Sequence, residues 1–413
     1  MPTTVHKFTL SNGVRVVCEP VTHIQSVAIG VWCQNGSRME SETEGGISHL
    51  IEHMLFKGTK NRTAEQIAQS IEGRGGHLNA FTDRELTCYY ARVLSDDLDN
   101  AVETLSDMYV NSLIDPAELE LEKGVVQEEI RKYEDSPEDH IHDLHARKRW
   151  GGHPLGRPII GTHESVGSFT HDILNGFISR RYTGGKTLVC AAGNLDPEAL
   201  RSSVEKNLGS LNGASEDPPA AAKPASKTGE NLIPKDVEQV HFCIGGDSVV
   251  ITDERRFTVS VLDAILGGSM SSRLFQEVRE KRGLVYAIGS YTALYKEAGA
   301  FTIYGGTNPK KFDELRRVVS AELAKVRNDE IPADELERAK KMMAGNAVLS
   351  LEGMSARMHR IARNEMVHGR EIPIEETLEK IDAVTTAEIK EMACEFLAEE
   401  QLTTTAIGPF KQN

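Results

Sequence analysis

Cysteine is scarce in this chain of 413 residues, and no two cysteines form a C-x-x-C pair. That absence excludes the usual zinc knuckle and the common redox motif. Free thiols that are mostly buried are typical of cytoplasmic proteins. We expect this state for the six cysteines, which are Cys18, Cys33, Cys88, Cys190, Cys243 and Cys394.

Long apolar segments are also missing. The sequence has no run of about 18 apolar residues, the length that would suggest a membrane-spanning helix. Its first residues, MPTTVHKFTLSNG, lack the charged and then apolar pattern of a signal peptide. The sequence therefore predicts no membrane span and a cytoplasmic location.

Positive charge is in deficit, with 47 Lys and Arg against 62 Asp and Glu and a formal net charge of -15. This balance argues against binding to nucleic acid or to an anionic membrane. It favours basic partners if the acidic residues line a cavity. An evenly spread acidic surface that only keeps the protein soluble fits the composition slightly better.

The length and an internal repeat indicate two domains. A chain of 413 residues exceeds what one hydrophobic core usually supports. Residues 164–195 align without a gap on residues 379–410, with several apolar positions in register. Residues 212–235 are rich in Ala, Pro, Ser and Lys and have no apolar period, which predicts a linker. The predicted homologous domains are residues 1–211 and 236–413.

The residue patterns predict an α+β fold. Apolar residues alternate in three runs before residue 34, and Asn12-Gly13 lies between the first two as a hairpin turn. Periodic helical patterns follow at residues 97–112 and 116–134. We expect each domain to be a mainly antiparallel β-sheet covered by α-helices.

One stretch carries the clearest chemical signal, GGISHLIEHMLFKGT at Gly45–Thr59. His49 and His53 are four residues apart, so on a helix they lie one turn apart on the same face, with Glu52 beside them. This is the H-x-x-E-H pattern, in which two histidines bind zinc and the glutamate acts as a general base on water. An apolar stripe covers the opposite face: Ile47, Leu50, Ile51, Met54 and Leu55.

A third zinc ligand is expected from the acidic helix at residues 116–134. Glu122 and Glu129 are seven residues apart and share a helix face, and either could supply an oxygen ligand. Glu128 and Glu134 are competitors, and spacing alone does not choose among the four. Four histidines farther on, within residues 140–153, are poorly spaced for one helix face and do not predict a second metal site.

The inverted zinc motif, the glutamate-bearing helix and the repeated halves together resemble the pitrilysin, insulin-degrading enzyme and processing-peptidase family. Essentially the whole chain takes part in the resemblance, which is nearest to bacterial relatives of the processing peptidase β subunit. The resemblance implies that His49, His53 and Glu129 bind one zinc ion per chain and that Glu52 is the base. It also implies that Glu122 orients a ligand or the base.

The resemblance assigns residues for substrate binding as well. The segment VREKRGLVY is similar to the family's Arg and Tyr pair, which implies that Arg279 and Tyr286 hold the substrate backbone near the scissile bond. Arg282 is an alternative to Arg279. The segment HLNAFT is similar to the family's edge strand, which implies that an extended peptide pairs with the backbone of Asn79, Ala80 and Phe81.

The expected function is that of a zinc endopeptidase acting on extended or presequence-like peptides. The resemblance implies a homodimer or a heterodimer with an inactive homologue. One rival is a zinc-retaining subunit that binds peptides or supports assembly, and the intact Glu52 argues against it. Another is a zinc hydrolase acting on small molecules, which the two-domain repeat and the edge strand disfavour.

Overall fold

The computed structural model of the chain describes residues 4–213 and 222–411. These residues form two compact units. The first holds residues 4–131, 157–213 and 350–372, and the second holds residues 132–156, 222–349 and 373–411. Part of the predicted linker, residues 214–221, lies outside the described residues.

Fourteen α-helices occur within the described residues. They are α1 (Ile47–Met54), α2 (Ala64–Glu72), α3 (Leu98–Asn111), α4 (Pro116–Asp135), α5 (Pro137–Trp150), α6 (His163–Ser168), α7 (His171–Arg181), α8 (Pro197–Leu208), α9 (Arg256–Leu266), α10 (Phe312–Asn328), α11 (Ala333–Ser350), α12 (Met354–His368), α13 (Ile374–Ala383) and α14 (Thr386–Phe396). None of these helices is long and apolar enough to cross a membrane.

The first unit is built on a six-stranded sheet. Its strands are β1 (His6–Thr9), β2 (Arg15–Pro20), β3 (Ser26–Cys33), β4 (His77–Thr82), β5 (Thr87–Leu94) and β6 (Thr187–Gly193). They lie in the order β1-β2-β6-β3-β5-β4, and every neighbouring pair is antiparallel except β2 with β6. The predicted three strands before the zinc-motif helix and the hairpin at Asn12-Gly13 are confirmed.

The second unit repeats this order with one strand fewer. Its strands are β7 (Gly229–Pro234), β8 (Val240–Ser248), β9 (Val285–Leu294), β10 (Gly299–Thr307) and β11 (Thr403–Gly408). The order is β7-β11-β8-β10-β9. In this sheet β7 and β11 are parallel and the other neighbouring pairs are antiparallel, so the first strand of the unit pairs in parallel with its last strand, as β2 does with β6. The predicted α+β class with mainly antiparallel sheets is thus confirmed.

The second unit begins earlier in the sequence than the predicted linker allows. Residues 229–234, placed in the linker, form β7, which pairs with β11 at the edge of the sheet. An edge strand buries little of its surface, and the side chains of β7 are alternately half-buried and exposed. Strand β7 therefore lacks the strong alternation of apolar and polar residues by which a strand is predicted from sequence.

Each sheet is covered by helices on both faces. In the first unit, α1, α3 and α8 pack on one face, and α12 packs on the other through Met358 and Ile361 against Trp32 and Leu188. In the second unit, α5 covers one face of the sheet through Ile141. Helices α5 and α12 thus each belong to a different unit from the one that a division at residues 212–235 predicts.

Candidate metal and peptide site

Helix α1 presents the predicted metal-binding residues. Leu50, Ile51 and Met54 are fully buried in the core of the first unit, which leaves His49, Glu52 and His53 on the opposite side of the helix. The histidine side chains stack edge to face, with ring centroids 4.7 Å apart. The amphipathic pattern of this short helix therefore fixes which face can bind a ligand.

The start of α1 is held by a buried carboxylate. Glu40 accepts hydrogen bonds from the backbone N–H groups of Gly46 and Ser48, both at 2.9 Å. Gly46 has φ +89° and lies so close to Gly161 that an added Cβ would be 2.7 Å from the Gly161 Cα. A larger residue at position 46 would therefore displace the first turn of α1, the helix that carries His49 and His53.

Three side chains converge as a potential metal site: His49, His53 and Glu129. The Oε2 atom of Glu129 lies 3.8 Å from the Nε2 atom of each histidine. Donor atoms bound to one tetrahedral zinc ion through bonds of about 2.1 Å lie roughly 3 to 4 Å apart, so this set fits zinc in both chemistry and spacing. Within the described residues, no other three His, Cys, Asp or Glu side chains converge in this way.

The histidines are electrically suited to binding a cation. Burial, followed by the charge of His53, lowers the pKa of His49 to about 4. His49 is therefore neutral near pH 7, with a lone pair available to a metal ion. The Nδ1 atom of His53 lies 3.0 Å from the Oε2 atom of Glu122, which holds this ring with its Nε2 atom toward Glu129.

Lys57 completes this arrangement, and the sequence reasoning missed it. Its Nζ atom lies 2.5 Å from the Oε1 atom of Glu122. Burial alone would raise the pKa of Glu122, but its hydrogen bonds with Lys57 and His53 outweigh burial and hold that pKa below its usual value. Lys57 lies three residues beyond the end of α1, so helix spacing gave no signal for this contact.

The geometry of α4 distinguishes Glu129 from Glu128 and Glu134, the other candidates for the third ligand. Glu128 is exposed and forms an ion pair with Arg131. The carbonyl oxygen of Glu134 accepts a hydrogen bond from Lys235, and Glu134 is outside the group of converging donors. The structure therefore brings Glu129, and not these two, to the histidines.

Glu52 lies beside the histidines and contacts the edge strand. The hydroxyl of Thr82 donates a hydrogen bond of 2.5 Å to its Oε2 atom. Burial raises the pKa of Glu52, although the Thr82 hydrogen bond and His53 oppose that effect. A carboxylate with a raised pKa is a stronger proton acceptor than an exposed one.

The predicted peptide-binding residues lie on β4, which is an edge of the first sheet. Asn79 is opposite Tyr90, and Ala80 is opposite Tyr89, on β5. No strand in the described part of the chain pairs with the outer side of β4. The outer edge of β4 is therefore open to an added strand. The Ala80 N–H group donates a hydrogen bond of 2.8 Å to the Oδ1 atom of Asn79, so it would have to exchange that bond to pair with a peptide.

Arg279 and Tyr286 lie together in the second unit. The guanidinium carbon of Arg279 is 5.4 Å from the centroid of the Tyr286 ring, and Tyr286 as a residue is 82% exposed. Arg282 instead binds the carboxylate and the backbone oxygen of Glu277. Arg279 is thus the arginine that associates with the predicted tyrosine.

The buried Glu40 gives a prediction about pH. Burial is the main cause that raises its pKa to about 7 from 4.5, even though the N–H groups of Ser48 and Gly46 favour the ionised form. The folded state therefore binds this proton more tightly than the unfolded state does. The resulting stabilisation is complete below about pH 4.5 and is lost as the pH rises to about 7.

We expect the stability of the metal-free wild type, relative to Glu40→Gln, to fall by roughly 3 kcal/mol across that pH range. Urea unfolding at several pH values measures this difference. Glu42→Gln, at an exposed position nearby, is the matched control and should not change the slope. A slope of the same size in wild type and Glu40→Gln would contradict the assignment.

Two family models match the sequence. Residues 15–163 match the model described as insulinase (peptidase family M16), and residues 168–343 match the model described as peptidase M16 inactive domain. An uncharacterized zinc protease of Bacillus subtilis is 40% identical over 396 residues, which are 96% of each chain. One from Streptomyces coelicolor is 38% identical over 99% of this chain and 90% of its own length.

Solved structures share the fold. A protease from Helicobacter pylori superimposes with a TM-score of 0.91 at 23% identity, covering 99% of this chain and 100% of the other. A structure from Pseudomonas fluorescens, described as a peptidase M16 inactive domain, has a TM-score of 0.92 at 19% identity and covers 99% of both chains. At these identities the similarity establishes the architecture alone.

Proposed function

The chain belongs to peptidase family M16, the insulinase family, and on that premise we propose that it is a zinc-dependent endopeptidase for extended, unfolded peptides. The observation that carries the proposal is the convergence of His49, His53 and Glu129 beside Glu52. Two imidazoles and a carboxylate are the ligand set of many catalytic zinc sites, which leave a further position open for water or substrate. We assign one zinc ion to each chain.

Zinc, when held by these three residues, would polarise the scissile carbonyl and increase the acidity of water. Glu52 takes the proton from the attacking water and passes it to the leaving amine, a role that its raised pKa suits. Glu122, ionised and paired with Lys57, keeps His53 oriented. Arg279 and Tyr286 donate hydrogen bonds to the substrate backbone or to the developing oxyanion.

The substrate is expected to bind as an added strand. The backbone of Asn79, Ala80 and Phe81 on the open edge of β4 can pair with any extended peptide, whereas a folded protein cannot offer such a strand. If part of the formal net charge of -15 lies along this site, peptides that carry Lys or Arg are favoured. Presequence-like segments have both properties.

The assembly and the location follow from the same reasoning. An open edge strand beside a partly exposed metal site favours a homodimer, or a heterodimer with an inactive homologue, that covers both features. Within the described residues all six cysteines are free, and five are buried, which is consistent with a cytoplasmic protein.

We expect the purified protein to digest a mixture of unstructured peptides and to lose this activity when a chelator removes the metal. Added zinc should restore it, because removing the metal leaves the proposed ligands His49, His53 and Glu129 chemically intact. Mass spectrometry of the products identifies the cleavage sites, and light scattering gives the mass of the active species. Basic peptides should be cleaved faster than acidic peptides of the same length at low salt.

A folded protein of similar composition is the control and should remain intact. Zinc binding without cleavage of any peptide would contradict the endopeptidase proposal and favour a zinc-retaining subunit that binds peptides. Activity that survives complete removal of metal would contradict the role of zinc.

A further inference from the structure

Thr82 lies where the peptide-binding strand meets the base. It is the last residue of β4, directly after the residues 79–81 that we propose pair with substrate. Its hydroxyl oxygen is 2.5 Å from the Oε2 atom of Glu52, which is on the separate helix α1. The strand that would hold the peptide therefore also contacts the group that would accept the proton.

The position of Thr82 is fixed by its surroundings. It pairs with Thr87 on β5, which is fully buried and donates its own hydroxyl proton to the carbonyl oxygen of Asn35 at 3.0 Å. The next residue, Asp83, closes a tight turn by accepting hydrogen bonds on its Oδ1 atom from the N–H groups of Glu85 and Leu86. Thr82 is therefore held on both sides.

The hydroxyl protons of Thr82 and Thr87 determine which group donates in the hydrogen bond between Thr82 and Glu52. The single hydroxyl proton of Thr87 goes to Asn35, so the contact of 3.3 Å between the two threonine hydroxyls adds no proton to Thr82. The one proton of Thr82 goes to Glu52 and occupies its Oε2 atom. The other carboxylate oxygen, Oε1, is left to accept the proton from water.

The Glu52 side chain is only partly buried. A glutamate has several side-chain rotamers, and only some direct an oxygen toward the metal site. Fixing one oxygen of a catalytic carboxylate reduces this freedom before the reaction begins. We propose that Thr82 is a positioning residue, whose hydroxyl orients the Glu52 carboxylate from the peptide-binding strand. This inference rests on the proposed role of Glu52 as the base.

The test compares Thr82→Val, which keeps the shape and removes the hydroxyl, with Thr82→Ser, which keeps the hydroxyl. We expect Thr82→Val to lower kcat by about 10- to 100-fold, the effect of losing one hydrogen bond to a charged group. KM and bound zinc should change less than about twofold, because the backbone of residues 79–81 and the three ligands are untouched. Thr82→Ser should retain kcat within about threefold of wild type.

A double-mutant cycle separates positioning from general stability. In a Glu52→Asp background the carboxylate is one methylene group shorter and no longer reaches Thr82, so Thr82→Val should reduce kcat less than about threefold further. An equal loss in both backgrounds, or a loss in Thr82→Ser as large as in Thr82→Val, would overturn the inference. Full activity of Glu52→Gln would instead overturn the assignment of the base itself.

Discussion

Replacing Glu52 by Gln is expected to leave zinc bound and to abolish most peptide hydrolysis. The amide has the size and shape of the carboxylate, and its oxygen can still accept the hydrogen bond from Thr82. It cannot accept a proton from water at neutral pH. The proposed ligands His49, His53 and Glu129 are unchanged, so the expected loss is confined to proton transfer, which general-base catalysis improves by about 100- to 10,000-fold.

The measurements are kcat on a peptide that wild type cleaves and zinc content by elemental analysis after dialysis. Glu134→Gln is the matched control, since it makes the same chemical change on an exposed position of α4 outside the converging donors. We expect that control to retain both zinc and activity. Hydrolysis by Glu52→Gln at a rate near that of wild type would mean that another group takes the proton.

The contrast between helix α1 and helix α4 explains what sequence alone could predict about the site. Helix α1 is short and has one apolar stripe, so the spacing of His49, Glu52 and His53 predicts that all three lie on the face opposite that stripe. Helix α4 has glutamates at many positions, and spacing alone left four of them as candidates. The position of α4 against α1 decides among them, and that is a property of tertiary packing.

Contacts between segments that are distant in sequence could not be predicted either, because they also depend on tertiary packing. Glu122 and Glu129 share a face of α4, yet Glu122 meets the Nδ1 side of His53 and Glu129 its Nε2 side. The hydrogen bond between Thr82 and Glu52 joins a strand to a helix 30 residues away, and no local pattern predicts it. The ion pair between Lys57 and Glu122 likewise forms only because the packed fold brings Glu122 beside Lys57.

The α+β class and the internal repeat were predicted correctly from the sequence. The boundaries between the two units were predicted less well. The gapless alignment of residues 164–195 on residues 379–410 corresponds to a helix followed by a strand in both places, α7 with β6 and α14 with β11. Strand β7 was missed because it is half exposed at a sheet edge. The placement of α5 and α12 was missed because each lies in a different unit from most of the chain on either side of it, which the order of the sequence does not reveal.

The second large effect is expected for Glu129, and it concerns metal affinity. Glu129→Gln replaces a charged oxygen donor by a neutral amide, which is a poor ligand for zinc. Removing a group that only orients a ligand typically costs about 10- to 100-fold in metal affinity, so losing a ligand should cost more than about 100-fold. Competition with a chromogenic chelator measures the zinc affinity of each variant.

Two other glutamates of α4, Glu122 and Glu128, provide comparisons for the loss of zinc affinity in Glu129→Gln. Glu122→Gln should weaken zinc binding by about 10- to 100-fold, because it only orients His53. Glu128→Gln should have an effect of less than about twofold. Its side chain is 72% exposed and paired with Arg131, and adjacent helix residues point about 100° apart, so Glu128 cannot face the histidines while Glu129 does. A larger loss in Glu128→Gln than in Glu129→Gln would mean that α4 is rotated relative to α1 in the zinc-bound protein, with Glu128 as the ligand.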